Sequence, residues 1–372
     1  MAHTPTHRRT TARTRTGAAV VAGIAGISTA IALAAPAQAQ EEWEHVHGSE
    51  EQGGSYTAVA ATAADEVWAF GGDSSDTGSP WFHRWDGQEW HEETAPDGLV
   101  GPPVAADAGR DGQIWALSRT NDGASAAHYD GESWTASEID PELEPNAVAA
   151  VGEGNAWLLS GPTAGEAEAA YFDGVEWTPQ PAPSVNTGVG AAEAGEVFAV
   201  GGQNAELVVE RWDGTGWTPE DIPEVDIPGG EPGARFNDVL VRSADDVWAV
   251  GNISWKDSDE ITHRRAVVAR YDGTEWTVEV GEDEGVYEAV ADDGEGGLYL
   301  SDGHWNPVLE HRTADGVTTR QEIVGEEHDI NLGGLASVPD GAGAVLAASA
   351  HVRGDPEEPT DHGRVYGTGT WY

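Results

Sequence analysis

A short motif recurs along the chain at nearly regular intervals: an aromatic residue, then Asp-Gly, then two further residues and a Trp. Successive copies lie 40 to 59 residues apart. The five complete copies are Trp85 to Trp90, Tyr129 to Trp134, Phe172 to Trp177, Trp212 to Trp217 and Tyr271 to Trp276. A sixth copy is reduced to Asp315-Gly316, and a seventh runs from Tyr366-Gly367 to Trp371. This period indicates one supersecondary unit repeated seven times.

A second element precedes each copy, and in six of the seven repeats it is an apolar run with an aromatic residue. It reads Asp-Glu-Val-Trp-Ala-Phe-Gly-Gly at residues 65–72 and Asp-Asp-Val-Trp-Ala-Val-Gly at residues 245–251. The seventh version, at residues 343–346, has lost its aromatic residue. Because apolar segments this short cannot be buried singly, the core must form by stacking of neighbouring repeats.

Each repeat divides into four short strands, which we call a to d in chain order. In the first repeat they are predicted at residues 56–62, 67–70, 82–85 and around Trp90, with Asp86-Gly87 in the turn between c and d. Asp-Gly suits this turn because glycine tolerates a positive φ. Helical periodicity is absent after the N-terminal segment. The sequence therefore predicts an all-β, seven-bladed β-propeller with four antiparallel strands per blade, whose repeats end near residues 90, 134, 177, 217, 276, 319 and 371.

Closure of the ring is also visible in the sequence. Trp43, within residues 42–46, looks like one more strand d placed before the first repeat. Such a strand would complete the last blade and remove an open sheet edge. Trp371 is a second candidate for the same strand. The sequence therefore does not decide whether the N-terminal or the C-terminal end of the chain supplies the closing strand.

The two elements resemble the kelch-like propeller repeats of secreted bacterial proteins, in which Asp-Val-Trp-Ala-Val-Gly is followed by Trp-Asp-Gly-x-x-Trp. The resemblance covers residues 41–372. Kelch repeats also have a glycine pair after strand b, found here only at Gly71-Gly72 and Gly201-Gly202, and a longer spacing from the aromatic residue to the Trp. The resemblance implies the fold and leaves the function open, because propellers include enzymes, lectins and docking platforms.

The first 39 residues have the layout of a secretory signal peptide. Four arginines without an acid precede an uncharged run at residues 17–35 and the cleavage sequence Ala37-Gln38-Ala39. The run is long enough to span a bilayer, but it is rich in Ala and Gly and only weakly hydrophobic. We expect cleavage after Ala39, secretion by the Sec route or, given Arg8-Arg9, the twin-arginine route, and no membrane span afterwards. Residues 40–372 are predicted to form the propeller.

The chain is strongly acidic, with 66 Asp and Glu against 18 Lys and Arg and a formal net charge of -48. Loss of the signal, which contains four arginines and no acid, would take the net charge to -52. Binding of nucleic acid needs clustered Lys and Arg that this chain lacks. The absence of cysteine excludes disulfides, thiolate metal sites and cysteine nucleophiles. The acidity favours adaptation to salty or alkaline surroundings, with cation binding as the alternative.

This charge imbalance predicts that stability depends on salt. Screening lengths fall from about 10 Å at 0.1 M salt to about 3 Å at 1 M, so added salt weakens repulsion between surface carboxylates. We therefore expect the Tm, measured by scanning calorimetry, to rise from low to molar NaCl. A Tm that stays constant over that range would contradict the prediction.

The repeat accounts for thirteen of the sixteen tryptophans, and their positions predict packing between blades. These are Trp68, Trp115, Trp157 and Trp248 on strand b, Trp85 and Trp212 on strand c, and Trp43, Trp90, Trp134, Trp177, Trp217, Trp276 and Trp371 on strand d. The other three, Trp81, Trp255 and Trp305, are predicted to lie in loops between strands b and c. They are therefore candidates for ligand contacts.

The b-to-c loops and d-to-a connections share one face of a propeller, here the loop face, and the a-to-b and c-to-d turns share the other, the turn face. Functional residues are expected on the loop face, where loop length varies. The candidate ligand-binding residues are Trp81, Trp255, Lys256, His263, Arg264, Arg265, His304, Trp305, His351 and Arg353. Their rings suit stacking on sugars or peptide side chains, and their cations suit a carboxylate or phosphate. The alternative is a set of solvated loops whose cations pair with neighbouring acids.

These features favour a secreted, monomeric binding or scaffold module that recognises an extracellular glycan or protein through the loop face of blades 5 to 7. The alternative is an extracellular carbohydrate-active hydrolase or lyase, but no spacing singles out a pair of carboxylates among the acids. No catalytic residue and no cofactor are predicted. The acidic segments 257–260 and 292–295 lack the full ligand spacing of a Ca²⁺ loop and are predicted to be polar turns.

Overall fold

The computed structural model describes residues 42–49, 53–73, 78–121, 123–140, 142–161, 167–192, 195–324, 328–352 and 361–372. These residues belong to one compact unit, Gln40–Tyr372. Within these ranges the chain is folded into β-strands and turns, and no helix is long and apolar enough to cross a membrane.

Twenty-eight strands in the described residues form seven four-stranded antiparallel sheets. Blades 1 to 4 comprise β2 (Gly54–Ala63), β3 (Glu66–Asp73), β4 (Pro80–Trp85) and β5 (Trp90–Glu93); β6 (Pro103–Ala108), β7 (Ile114–Thr120), β8 (Gly123–Tyr129) and β9 (Trp134–Ile139); β10 (Pro145–Gly152), β11 (Asn155–Ser160), β12 (Glu168–Phe172) and β13 (Trp177–Gln180); and β14 (Gly188–Ala191), β15 (Val197–Gln203), β16 (Glu206–Trp212) and β17 (Trp217–Pro219). Blades 5 to 7 comprise β18 (Gly230–Ser243), β19 (Asp246–Lys256), β20 (Thr262–Tyr271) and β21 (Trp276–Glu284); β22 (Tyr287–Asp292), β23 (Leu298–Asp302), β24 (Val308–Arg312) and β25 (Thr318–Glu322); and β26 (His328–Val338), β27 (Gly343–Val352), β28 (Asp361–Gly369) and β1 (Glu44–Gly48).

The seven sheets form a closed ring. Strand a of each blade contacts strand a of the next blade, and β26 of the last blade contacts β2 of the first. The strands a therefore surround the central axis, and the strands d lie outermost. This arrangement confirms the predicted seven-bladed β-propeller with four antiparallel strands per blade.

The Asp-Gly dipeptides form the predicted turns between strands c and d. In blade 1, Asp86 Oδ1 accepts the backbone N–H groups of Gln88 and Glu89 at 2.8 and 2.9 Å, and Gly87 has a φ of 89°. The carboxylate satisfies the turn N–H groups while glycine takes the left-handed conformation. The same pair of bonds recurs at Asp130, Asp173, Asp213 and Asp272. Each copy of the motif therefore defines one outer hairpin.

The repeated tryptophans join neighbouring blades, as predicted. The ring at the start of strand d packs edge-on against the strand-b aromatic ring of the preceding blade. These pairs are Trp134 with Trp68, Trp177 with Trp115, Trp217 with Trp157 and Trp43 with Tyr299, with ring centroids 5.1 to 5.9 Å apart. The regular spacing of the sequence repeat thus reflects one contact made at successive blade boundaries.

The N-terminal strand β1 closes the ring. It pairs with β28 and is strand d of blade 7, which settles the choice between the two ends of the chain in favour of the strand next to Trp43. Assignment of Trp371 to strand d is wrong, because this residue follows β28, the strand c of that blade.

Trp371 has a different place in the ring. It is buried, and its indole packs edge-on against Trp85 and Trp90 of blade 1, with centroids 6.1 and 6.4 Å away. In blades 2, 3 and 4 the strand-b aromatic residue of the preceding blade makes these contacts, but the corresponding segment of blade 7, residues 343–346, has no aromatic residue. The C-terminal tryptophan therefore supplies the ring that the seventh repeat has lost.

Candidate functional site

Blade 5 has the longest set of strands. Its four strands contain 14, 11, 10 and 9 residues, whereas the strands of blades 1 to 4 contain 3 to 10. Residues 252–265 are predicted to form an inserted loop, and this prediction is wrong for most of them. Asn252 pairs with Ala266 and Lys256 with Thr262, so the insertion lengthens the β19–β20 hairpin. The hairpin can continue because Asp257 Oδ1 accepts the N–H groups of Asp259 and Ile261 and closes a tight turn at its tip.

Trp255, His263 and Arg265 form one layer on this hairpin. Trp255 lies opposite His263 in the strand pairing, and their rings stack with centroids 5.4 Å apart. The guanidinium of Arg265 lies 5.4 Å from the Trp255 ring centroid, within the range of a cation–π contact. Trp255 is therefore half-buried by its neighbours, and these contacts occupy much of the ring expected to meet a ligand.

Two cationic groups of the hairpin, Lys256 and His263, are paired with acids. Lys256 Nζ lies 2.6 Å from a Glu231 carboxylate oxygen and 3.7 Å from one of Glu260. His263 lies 3.0 Å from Asp257 and 2.6 Å from Glu284 through its two ring nitrogens. Hydrogen bonds to Asp257 and then to Glu284 raise the pKa of His263. For Lys256 and His263 the structure therefore fits the alternative of solvated cations neutralised by neighbouring acids.

Arg264 projects from the same strand. Its side chain is exposed, and its backbone N–H donates to Glu284 Oε2 at 2.9 Å. Glu284 thus bonds both His263 and the backbone of its neighbour. Backbone pairing and these acids together hold the hairpin in one conformation.

The b-to-c loop of blade 6 carries His304 and Trp305, and it is attached to blade 7. The N–H of Asn306 donates to Ile330 O at 2.6 Å, and the N–H of Leu332 donates to His304 O at 2.9 Å. The Asn306 side chain accepts the N–H of Ile330 at 2.8 Å and donates to Asp329 at 3.1 Å. The loop is therefore fixed to strand a of the next blade on both sides of Trp305.

Trp305 is the most exposed tryptophan of the molecule. All sixteen tryptophans lie in described residues, and the other fifteen are buried or half-buried, whereas Trp305 is 57% exposed. His304 beside it is also exposed, with its ring edge-on to the indole at 6.2 Å. The prediction that these residues lie in a b-to-c loop is confirmed. The role of Asn306 as the anchor of the loop was missed, although Asn next to an exposed Trp is a recognisable loop signal.

Two other candidate positions are corrected. Trp81 lies in strand β4 and is 8% exposed, with its ring 5.8 Å from that of Tyr56. The indole lies over Gly54, and a β-carbon at that position would come within 2.0 Å of the ring. Because glycine leaves this space, the Trp81 side chain enters the core, and the loop ends before Trp81. His351 lies in β27 rather than in a loop and is exposed, while Arg353 falls outside the described residues.

The central channel was not predicted from the sequence. A cavity of about 880 Å³ opens on the turn face and is lined by the ends of strands a of all seven blades and by a-to-b turn residues of five of them. Arg110 of blade 2 crosses its mouth, and its guanidinium donates to the carbonyl oxygens of Val241 and Arg242 in blade 5. The only sequence signal was an acid within an apolar strand a, as at Asp107 and Asp238.

Asp107 and Asp238 line this channel. Asp107 Oδ2 accepts the N–H of Ala150, and Asp238 Oδ2 accepts the N–H of Val290, both at 2.9 Å and both in the following blade. Burial raises the pKa of each carboxyl to about 6, and the charge of Asp238 adds to the effect on Asp107. Each carboxyl therefore ties strand a of its blade to the neighbouring blade.

The raised pKa of Asp107 predicts a defined pH dependence. Between pH 6 and pH 4 the folded state binds a proton that the unfolded chain does not, so this group adds stability as pH falls through that window. We expect the gain in unfolding free energy from pH 7 to pH 4.5 to be smaller by about 2 kcal/mol in Asp107→Asn than in the wild type. Urea unfolding at the two pH values measures it. Asp97→Asn, at an exposed turn, is the control, and an equal gain in all three proteins would contradict the prediction.

Comparisons with known proteins identify the fold. No family model and no curated protein matches the chain. YCF48 bound to D1 peptide is 15% identical, with 88% of this chain and 96% of that chain covered and a TM-score of 0.54. Virginiamycin B lyase from Staphylococcus aureus is 11% identical (88% and 99% covered, TM-score 0.54), and the WD40 β-propeller domain of Doa1 is 9% identical (88% and 97% covered, TM-score 0.57). At these identities the likeness establishes a shared propeller fold alone.

Proposed function

We propose that the protein is a binding module that recognises an extracellular glycan or protein surface through the loop face of blades 5 to 7, with Trp305 as the central contact. The observation that carries this proposal is the exposure of Trp305, 57%, on a loop fixed by four hydrogen bonds to blade 7. Every other tryptophan is at least half-buried.

An exposed indole on a fixed loop suits binding for two reasons. Covering on the order of 100 Å² of its surface contributes about 2 to 3 kcal/mol. Because the loop is already held in one conformation, little ordering entropy opposes association. Indole faces stack on sugar rings and on peptide side chains, which matches both ligand classes.

The charges on this face limit the class of ligand that it can bind. Lys256 and His263 are already bonded to acids, so among the candidate cations of the hairpin Arg264 and Arg265 are the ones left for a carboxylate or phosphate. With a net charge of -48 for the whole chain, a neutral glycan or a basic polypeptide segment is favoured over an acidic ligand. One of the structurally similar propellers, YCF48, is described with a bound D1 peptide, so this fold can carry a peptide ligand.

The proposal also includes the location of the protein outside the cell. Residues 1–39 carry the sequence pattern of a secretory signal, and the repeats resemble the kelch-like type of secreted bacterial proteins. We propose a secreted monomer that needs no cofactor for binding. The mass of the protein recovered from culture medium tests cleavage after Ala39.

A second candidate function is cleavage of a carbohydrate in the central channel, by hydrolysis or by the elimination that a lyase catalyses. It is favoured by one observation, the raised pKa values of Asp107 and Asp238, because acid catalysis near neutral pH needs such groups. Their carboxylate oxygens are, however, already bonded to backbone N–H groups. This arrangement favours a structural role for both, and a panel of glycosidase and lyase substrates tests the alternative.

The binding proposal is tested by presenting the wild type and Trp305→Ala to a glycan array and to purified cell-wall material. We expect capture by the wild type and loss of capture by the variant, with unchanged Tm values. Val175→Ala, at an 82% exposed position in the turn between β12 and β13 on the turn face, is the control for general apolar adhesion, and its capture should equal that of the wild type. Equal capture by Trp305→Ala and the wild type would overturn the proposal.

A further inference from the structure

The backbone pairing that attaches the closing strand β1 to the ring is short and interrupted. It joins β1 to β28 at four positions, as many as for the outer strands β5 and β13, but here a bulge breaks the pairing between His45 and His47. Beyond β28, side chains hold the strand to both neighbouring blades. Trp43 packs on blade 6, and His47 packs on blade 1.

His47 is surrounded by aromatic rings of blade 1. Its imidazole stacks on Trp90 at 4.7 Å between ring centroids and lies 5.0 Å from His83 and 5.8 Å from Tyr56. Its Nε2 atom is buried and has no hydrogen-bond partner. The neutral ring fits this pocket, whereas an imidazolium would place an N–H at Nε2 with no acceptor.

The charged and titratable groups around His47 oppose its protonation. His45 on the same strand, His83 on β4 and Arg364 on β28 are cationic or become so, and Glu92 on β5 is the acid that acts on this cluster. The Tyr56 hydroxyl on β2 is hydrogen-bonded to His83 Nδ1 at 3.0 Å, and Tyr366 on β28 packs against His45. Burial first, then His83 and His45, lowers the pKa of His47 to about 4, and burial also lowers the pKa values of His45 and His83.

We propose that this cluster is a pH-sensitive latch of the ring: protonation of His47 in an acidic medium releases β1 from Trp90 of blade 1 and from its pairing with β28, and the propeller opens at this seam first. The latch is independent of the ligand bound on the loop face. It depends on the position of His47 between the last and first blades, where its imidazole stacks on Trp90.

The size of the pH effect on opening follows from the pKa of His47 in the closed and in the detached state. A detached strand has the ordinary imidazole pKa of 6.5, so between pH 6.5 and pH 4 the detached state binds more protons and is favoured as pH falls. For the pKa values given, the opening equilibrium constant rises roughly 70-fold between pH 7.5 and pH 4.5. Above pH 7 the latch stays closed.

The test is hydrogen exchange measured by mass spectrometry on the whole protein at pH 7.5 and 4.5, with rates corrected for intrinsic exchange. We expect the protection of β1 to fall by roughly 70-fold relative to that of β13, an outer strand d in blade 3. In His47→Phe, which keeps the stacked ring but cannot be protonated, this relative loss should disappear.

His128→Gln is the matched control. His128 also stacks on a tryptophan, Trp115, at 4.3 Å, and burial lowers its pKa, but its Nε2 is bonded to Gln113 and it lies in blade 2. This variant should lose β1 protection as the wild type does. If β1 and β13 of the wild type lose protection in parallel, or if His47→Phe behaves like the wild type, the proposal is overturned. The wild-type comparison decides the question even where His47→Phe fails to fold.

Discussion

Replacement of Trp371 by alanine is expected to lower the free energy of unfolding by about 3 to 5 kcal/mol. The indole is 4% exposed and fills the space between the last and first blades, against Trp85 and Trp90. Its Nε1–H donates to the carbonyl oxygens of Ala344 and Thr368, and its own carbonyl accepts the Nε1–H of Trp85 at 3.1 Å. Alanine would leave a cavity at a blade boundary where residues 343–346 of the preceding strand b carry no aromatic ring.

Chemical denaturation followed by circular dichroism measures this loss. Trp305→Ala is the control of the same residue type, and its unfolding free energy should change by less than about 0.5 kcal/mol because the side chain lies in solvent. A small loss for Trp371→Ala, equal to that of the control, would mean that the C-terminal ring does not replace the missing strand-b aromatic residue.

Replacement of Glu310 by alanine is expected to have a similar effect, a loss of about 3 to 5 kcal/mol. The side chain is 1% exposed and accepts hydrogen bonds from Arg312, from Arg320 at 2.6 Å and from the Tyr287 hydroxyl at 3.1 Å. Without the carboxylate, the Arg312 guanidinium would keep only the Tyr287 hydroxyl at 2.7 Å and the exposed Glu279 as partners, beside the second cation Arg320. Removal of one partner of a buried ion pair is therefore much more costly than the net contribution of the pair.

The control for Glu310 is Glu279→Ala. Glu279 is 70% exposed and lies 3.4 Å from Arg312, so its removal should cost less than about 1 kcal/mol. Tyr287 begins strand a of blade 6, and the adjacent Val286 bonds Asp302 and Gly303 at the base of the Trp305 loop. Equal losses in the two variants would show that the buried network does not support blade 6.

Much of the fold was predictable because its strongest contacts recur with the repeat. Asp86-Gly87 and its four complete equivalents specify turns whose hydrogen bonds are local in sequence, and strand-d residues such as Trp134 occur at fixed intervals from the rings they contact. The seam was less predictable, because Trp371 acts as a substitute for a residue on another strand. Its repeat lacks the Asp-Gly turn, but its spacing from Tyr366 is that of a strand-d tryptophan.

The site was predictable only in part. The exposed loop of Trp305 follows from its position outside the repeat, but Trp81 shares that position and is buried because Gly54 leaves space for its ring. Residues 252–265 were expected to form a loop because insertions usually do, yet Asp257 closes a turn that lets both strands continue. The channel acids could not be found by periodicity, since their bonds cross to a blade about 40 to 50 residues away.

The two faces of the propeller have different chemical properties. The loop face presents Trp305 on a fixed loop, whereas on the turn face Arg110 crosses the mouth of the channel. Binding at one face should therefore be insensitive to changes at the other. Variants on opposite faces therefore distinguish the proposed binding function from the alternative of catalysis in the channel.

The most direct test of the central claim is the dissociation constant of a ligand found by the binding screen, measured for the wild type, Trp305→Ala and Arg110→Ala. The loop-face account predicts at least 10-fold weaker binding for Trp305→Ala, from the loss of about 2 kcal/mol of indole burial, and an unchanged constant for Arg110→Ala. Unchanged binding by Trp305→Ala together with weakened binding by Arg110→Ala would contradict it and place recognition at the channel.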